Sequence, residues 1–222
     1  MIKEDEPTDL IQKTDKLGRV YHQRKDRNRF FYPDEWKSFM KVLEGKKSIH
    51  LKPLFDFMFN TGTRLDECLH IRPKDFDFDR QTVRIWKVKR KAKKKAEGSY
   101  GKPRTISLST AFCKRMKRHC KDFKNEQYIF HGSIQSVNQV MNRALQRAKI
   151  EDYYNFSSHN IRKTHGMYIK ALGIDIAEIC TRLGHDYNTY LRHYGSADVF
   201  SEKDMRHIRE LLDDLYFRKR RY

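Results

Sequence analysis

The chain has 222 residues, of which 38% are hydrophobic and 35% charged, with 48 lysines and arginines against 29 acidic residues. The net charge of +19 makes self-repulsion costly and indicates an anionic partner, for which nucleic acid is the usual candidate. No apolar run approaches the roughly 20 residues of a membrane span, and the polar, acidic start MIKEDEPTDL excludes a secretory signal, so we expect a soluble cytoplasmic protein without membrane contact.

Two features at the level of the whole chain set its organisation. Residues 1–28 alternate charges without a steady apolar period, which predicts a flexible charged arm. The cysteines are scattered without a C-x-x-C pair, which favours buried thiols in a reducing compartment over a zinc site. They are Cys68, Cys113, Cys120 and Cys180.

From residue 29 onward, apolar residues recur at helical spacing. Pro33 and Gly45 bracket one amphipathic helix, LFDFMFNTG predicts a buried helix ending at Gly62, and a short helix follows from Thr63. The alternation in QTVRIWKV and RTISLS predicts two paired strands, joined by the strongly basic hairpin connection KVKRKAKKKAEGSYGK.

The rest of the chain is predicted to be helical. A stripe from Val137 to Ala148 is the cleanest helical pattern, further helices end at Gly173 and Gly184, and a last one begins at Ser201. We therefore expect a mainly α fold with a small antiparallel β-sheet (α+β), comprising one domain over residues 29–200 followed by a C-terminal helix and basic tail over residues 201–222.

Three short segments contain residues suited to chemistry. In TGTRLDE, Arg64 and Glu67 share a helical face, and in SHNIRK, His159 and Arg162 do the same. Taken alone, each pair favours a plain interpretation, namely a surface ion pair and a cap-region histidine beside a solvated arginine. Both segments adjoin strongly apolar stretches, however, which places these side chains near the core.

The third segment, LGHDYNTYLRHYGS, is rich in tyrosine. On a helix, Tyr187, Tyr190, Leu191 and Tyr194 share one face, so the tyrosines are either packing residues or include one that performs chemistry.

The order and spacing of these segments resemble the tyrosine recombinase (phage integrase) family over roughly residues 29 to 196. That family's T-G-x-R-x-x-E, H-x-L-R and L-G-H boxes are followed by a nucleophilic tyrosine nine positions after the last histidine. The matching residues here are Thr61, Gly62, Arg64 and Glu67, then His159, Asn160, Ile161 and Arg162, then Leu183, Gly184 and His185, and finally Tyr194. The departures are Lys163, where the family commonly has histidine, and His165, where it has an aromatic residue.

The resemblance implies the catalytic set Arg64, Lys89, His159, Arg162, His185 and Tyr194. The two arginines would clamp phosphate oxygens, the histidines would donate hydrogen bonds or exchange protons, and positive charge would help Tyr194 to ionise. Tyr187 and Tyr190 then become packing residues. The hairpin lysine is assigned to Lys89, with Lys87 and Lys91 as alternatives on the same strand face. We expect no cofactor and no metal.

The implied function is site-specific DNA recombination, integration or excision, through a 3′-phosphotyrosine intermediate. The implied partners are double-stranded DNA and further copies of the chain, as a tetramer on paired sites at the nucleoid. The alternatives are a type IB topoisomerase-like nicking and resealing enzyme and a non-catalytic basic DNA-binding module.

Two expectations concern the ends of the chain. Family members usually carry a helical core-binding domain upstream, whereas only the charged arm precedes the boxes here, which suggests an isolated catalytic domain, a truncated form or a minimal recombinase. The helix from residue 201 to about 217 is expected to serve assembly through its apolar face, although packing against its own domain is the plain alternative.

Overall fold

The computed structural model of the chain describes residues 10–14, 20–24, 29–45, 48–87, 101–194 and 199–216. The first helices are α1 (Pro33–Val42), α2 (Lys52–Thr61) and α3 (Leu65–Cys68). A sheet follows, built from β3 (Phe76–Asp77), β4 (Thr82–Lys87) and β5 (Gly101–Ser107). The remaining helices are α4 (Thr110–Cys120), α5 (Ile134–Arg147), α6 (Ser158–Ala171), α7 (Ile176–Leu183), α8 (Tyr187–Tyr194) and α9 (Glu202–Leu212).

The architecture is mostly helical with a small antiparallel sheet, as the sequence predicts. Among the described residues, none of the helices combines the length and the apolar character that crossing a membrane requires. Cys68, Cys113 and Cys120 are free and buried, as predicted, whereas Cys180 is half-buried.

The segment predicted to be a flexible arm contains an antiparallel pair of strands, β1 (Leu10–Thr14) and β2 (Val20–Arg24). The sequence analysis does not predict these two strands, because charged and polar neighbours surround the β-branched and aromatic residues, such as Ile11 and Tyr21, that favour a strand. Residues 1–9, 15–19 and 25–28 lie outside the described residues.

Helices α2 and α6 pack against each other at the centre of the domain. Apolar side chains surround α2, and five of them, Leu54, Phe55, Phe57, Met58 and Phe59, are at most 1% exposed. Such a helix is stable only when it is covered on all sides. It ends at Gly62, whose φ of +66° is the left-handed conformation that favours glycine at a helix end.

Helix α6 is also buried, although its sequence is polar. Every residue from 160 to 169 is buried, including Arg162, Lys163, Thr164 and His165. Part of this polarity secures the chain entering α1: Thr164 Oγ1 accepts from the Phe31 amide at 2.9 Å, and the Tyr168 hydroxyl donates to the Phe31 carbonyl at 3.0 Å. Arg162, on the same helix, makes no part of this contact and belongs to the candidate site described below.

The three-stranded sheet has the order β3-β4-β5. Val83 pairs with Ile106 and Ile85 pairs with Arg104, so these four side chains share one face of the sheet. The three apolar members are at most 1% exposed. Arg104 is therefore an arginine on the core-facing side of the sheet.

The C-terminal helix α9 packs against α1 of its own domain, with Ile208 and Leu212 fully buried. This arrangement contradicts the expectation that the apolar face serves assembly, because the chain itself already covers that face. The sequence could not decide between the two alternatives, since an amphipathic stripe looks the same whether its partner is within the chain or outside it. Residues 217–222, with most of the basic tail, lie outside the described residues.

Candidate active site

Arg162 is the most deeply buried cation of the site, with 1% of its surface exposed. Its Nη1 donates to the Gly62 carbonyl at 2.8 Å and its Nη2 donates to the Leu183 carbonyl. These carbonyls lie at the C-terminal ends of α2 and α7, where helix dipoles favour a positive charge. Burial, assisted by the nearby Arg64, lowers the pKa of Arg162 to about 10, so the guanidinium stays protonated at neutral pH.

Arg64 is the N-cap residue of α3 and its side chain is 37% exposed, so its guanidinium can reach a ligand at the surface. The carboxylate of Glu67 accepts from the Arg64 backbone amide at 2.9 Å and from its Nη1 at 3.4 Å. The Glu67 side chain is 1% exposed, which excludes the interpretation of this pair as an ordinary surface ion pair. The buried Glu67 carboxylate therefore fixes both the backbone and the guanidinium of Arg64 at the start of α3.

The main partner of Glu67 is an arginine that the sequence did not reveal as part of the site. Arg104 Nη1 and Nη2 donate to the two carboxylate oxygens of Glu67 at 2.9 and 2.7 Å. Burial raises the pKa of Glu67, but the hydrogen bonds and charge of Arg104 outweigh it, and the net pKa lies below the usual range. Glu67 is thus an ionised carboxylate inside the protein.

Tyr194 is the last residue of α8 and is 2% exposed. Its ring lies 5.6 Å from the His185 ring in an edge-to-face arrangement and stacks 5.5 Å from the ring of Tyr190. Burial raises the pKa of Tyr194 to about 12, while Arg162 and Arg64 act in the opposite direction. The phenol is therefore protonated at neutral pH and lies within electrostatic reach of both candidate arginines.

The other tyrosines of α8 divide between the core and the surface. Tyr190 is 3% exposed and packs as expected, whereas Tyr187 is 55% exposed and Leu191 47%. The Tyr187 ring stacks 6.4 Å from that of Tyr190, so Tyr187 packs within the helix as predicted, but the rest of the domain leaves it exposed. Helix α8 contacts α6 and α7, and these contacts leave Tyr187 and Leu191 exposed.

The candidate histidines differ in their surroundings. His185 follows Gly184, which has a φ of +66°, and is half-buried beside Tyr194. His159 is exposed in the first turn of α6, three residues before Arg162 and thus on the same side of that helix. The structure brings His185 to the tyrosine and leaves His159 at the rim.

The candidate lysine belongs to the segment of the chain between β4 and β5. Lys89 and its alternative Lys91 lie outside the described residues, and for Lys87 only the backbone is described, paired with Gly101. The described part of the chain contains no group of three or more His, Cys, Asp or Glu side chains arranged to hold a metal ion.

The sequence model of the phage integrase family matches residues 29–199. The chain belongs to the phage integrase family. Tyrosine recombinase XerC of Staphylococcus epidermidis is 24% identical over 184 residues, covering 75% of this chain and 57% of that protein. The chain thus spans little more than half the length of this curated relative.

Solved structures show the same fold. XerA recombinase superposes with a TM-score of 0.61 at 15% identity, covering 82% of this chain and 64% of that one. The Tn1549 transposon integrase in complex with transposon right end DNA gives a TM-score of 0.63 at 15% identity, covering 85% and 67%. The mainly α fold with a small antiparallel sheet is therefore that of a tyrosine recombinase catalytic domain.

This integrase-family domain contains a further buried arginine that the sequence analysis missed. Arg182 of α7 is 6% exposed and donates from Nε to His165 Nε2 at 2.8 Å, from Nη2 to the Asn60 carbonyl at 2.8 Å and from Nη1 to the Ser107 carbonyl at 3.0 Å. Burial and the adjacent Arg182 charge lower the pKa of His165 well below its usual value, so His165 is neutral and accepts this bond.

One signal in the sequence could have revealed Arg104. In RTISLS, Arg104, Ile106 and Leu108 alternate, which places the arginine on the same strand face as two apolar residues. An arginine on a core-facing position requires a buried anion. No comparable signal marks Arg182, whose partners come from three distant parts of the chain.

Proposed function

We propose that this chain is the catalytic domain of a site-specific DNA recombinase, which cuts and rejoins DNA strands through a covalent phosphotyrosine at Tyr194. The observation that carries the proposal is the position of the Arg162 guanidinium, held by the ends of α2 and α7 within electrostatic reach of Arg64 and Tyr194. A phenol beside two guanidinium groups is suited to attack on a phosphodiester.

In the cleavage step, the Tyr194 oxygen forms a bond to the scissile phosphorus and the bond from phosphorus to the 5′ oxygen breaks. The product is a 3′-phosphotyrosine and a free 5′-hydroxyl. Rejoining is the reverse reaction, with the 5′-hydroxyl of a new strand as the attacking group. Arg64 and Arg162 stabilise the charge on the non-bridging oxygens, since a guanidinium offers two parallel donors.

Two proton transfers accompany this step. Tyr194 is protonated in the free protein and must lose its proton, for which His185 beside its ring is the candidate acceptor. The 5′ oxygen must gain a proton, the role assigned to Lys89. His159, exposed and three residues before Arg162, is assigned the donation of a hydrogen bond to a phosphate oxygen bound by Arg162.

The net charge of +19 supports double-stranded DNA as the substrate, because many phosphates can be neutralised at once. The integrase of Tn1549 and the XerH recombinase, which this domain resembles, were solved with DNA. We further propose a cytoplasmic, DNA-associated protein that acts as a tetramer on two duplexes, because strand exchange between two sites requires four cuts.

A library of nicked half-sites tests the function, because a cleaved half-site loses its short 5′-hydroxyl fragment and traps the covalent adduct. Wild-type protein should form an adduct stable to denaturation, Tyr194→Phe should bind DNA without forming it, and Tyr190→Phe should retain it. An adduct that survives in Tyr194→Phe would refute the assignment. Exchange between two intact sites then separates a recombinase from a nicking and resealing enzyme, which relaxes supercoils without exchange.

A further inference from the structure

Arg104 occupies a position normally taken by an apolar residue. It shares the core face of the sheet with Ile85 and Ile106, and its side chain is 12% exposed. Three of its donors have partners inside the protein: Nη1 and Nη2 on Glu67, and Nε on the Arg182 carbonyl at 2.9 Å. Both ends of the guanidinium fork are therefore engaged before any DNA arrives.

The partners of Arg104 connect it to the residues proposed for catalysis. Glu67 holds the backbone amide and the guanidinium of Arg64. The Arg182 carbonyl immediately precedes that of Leu183, which accepts from Arg162, and His185 follows two residues later. Arg104 is thus hydrogen-bonded directly to the segments that position Arg64, Arg162 and His185.

Gly184, in the turn before His185, leaves room for the Arg104 side chain. A Cβ at Gly184 would lie 3.3 Å from both Cδ and Nη1 of Arg104, closer than a typical contact. Gly184 is therefore needed at this position both for its positive φ and for the space that Arg104 occupies.

On the basis of the proposed function, we propose that Arg104 is a positioning residue for DNA cleavage, which holds Arg64, Arg162 and His185 in their relative positions. Arg104 itself does not touch the phosphate.

The first arm of the test is single-turnover cleavage of a nicked half-site by wild type, Arg104→Lys and Arg104→Met, with DNA affinity measured in parallel. Small displacements of catalytic groups can reduce rates by about a hundredfold, so we expect Arg104→Lys, which loses the bidentate geometry, to cleave at least about tenfold more slowly with unchanged affinity. Arg84→Met is the matched control, because Arg84 is exposed on the opposite face of the same sheet.

A pH profile separates positioning from a merely structural role. The charged groups facing Glu67 are Arg64 from α3, Arg104 from β5 and Arg162 from α6. Without Arg104, burial is opposed only by the Arg64 amide and the Arg162 charge, so the pKa of Glu67 should rise. Cleavage by Arg104→Met should then increase with pH as Glu67 ionises and draws Arg64 back. The double variant Arg104→Met with Glu67→Gln should lack this rise, because glutamine does not titrate.

The outcomes are distinct. Equal cleavage by wild type and Arg104→Lys, a parallel loss of affinity and cleavage, or a pH rise that persists in the double variant would each overturn the positioning role. If Arg104→Met does not fold, the cleavage rate and DNA affinity of Arg104→Lys still test the positioning role. A wild-type chain that forms no adduct would refute the proposed function instead.

Discussion

The ring of Tyr194 lies directly against Gly166 of α6, where a Cβ would approach the ring carbon Cζ to 2.8 Å. Since real Cβ contacts are longer, the buried position of the tyrosine depends on the absence of a side chain at residue 166. Leu183 Cδ1 would lie 3.1 Å from the same Cβ. Gly166, in the middle of a buried helix, thus leaves the space into which the ring of the proposed nucleophile packs.

We therefore expect Gly166→Ala to destabilise the domain, although alanine normally stabilises a helix interior by about 1 kcal/mol relative to glycine. In a Tyr194→Ala background the ring is gone, so the same substitution should become neutral or stabilising. Chemical unfolding of the four variants measures this reversal of sign. The same effect of Gly166→Ala in both backgrounds would show that the Tyr194 ring does not pack against Gly166 in solution.

The raised pKa of Tyr194 predicts a loss of stability at alkaline pH. Burial raises the pKa of the folded phenol to about 12, whereas an unfolded tyrosine titrates near about 10. The folded state therefore keeps a proton that the unfolded state releases between these values, and stability falls with rising pH by up to about 1.4 kcal/mol per unit. Below about pH 10 this contribution is fully present.

Tyr194→Phe removes only this titrating hydroxyl and keeps the ring. Unfolding free energies of wild type and Tyr194→Phe should therefore run parallel up to about pH 10 and separate above it, with wild type losing more. The comparison subtracts the contributions of the other buried tyrosines, such as Tyr168 and Tyr216, which are present in both proteins. Parallel curves up to pH 12 would contradict the buried state of Tyr194.

The two candidate arginines should respond differently to replacement by lysine. Both substitutions should reduce cleavage by about 10²–10³-fold, because one of the paired donors to the transition state is lost. Only Arg162→Lys should also destabilise the fold, by about 1.5–3 kcal/mol, since Arg162 is buried on two carbonyls whereas Arg64 is partly exposed. Cleavage rates, DNA affinity and unfolding free energies measured together test this contrast. A matching loss of affinity would make these residues phosphate anchors.

Lys89 is predicted to protonate the leaving 5′ oxygen. A bridging 5′-phosphorothiolate releases a thiolate, which needs no proton, so this substrate should restore cleavage by Lys89→Ala but not by Arg64→Lys. The measurement is the rate of adduct formation with each substrate. Selective rescue of Lys87→Ala or Lys91→Ala would transfer the role to that lysine.

The sequence predicts local structure well and contacts between distant residues poorly. Helix ends at Gly62 and Gly184 follow from the residue type, and the relative order of the boxes places Arg64, Arg162 and Tyr194 in one family pattern. Arg104 and Glu67 are 37 residues apart, so nothing local announces their ion pair. Tyr187 and Tyr190 share a helical face in the sequence, yet only one is covered, because burial depends on the extent of the neighbouring helices.

The chain after α9 is predicted to stabilise its own domain. Asp214 accepts from the Thr110 amide at 2.6 Å, and Asp213 accepts from the Ala111 amide at 3.0 Å, so two carboxylates cap the start of α4. Asp214→Ala should lower the unfolding free energy by about 1 kcal/mol, as loss of a helix cap does. Glu210→Ala is the control, because its ion pair with Lys37 is exposed and should contribute little. If Asp214→Ala instead left stability unchanged and abolished cooperative binding to paired DNA sites, the segment would serve assembly after all.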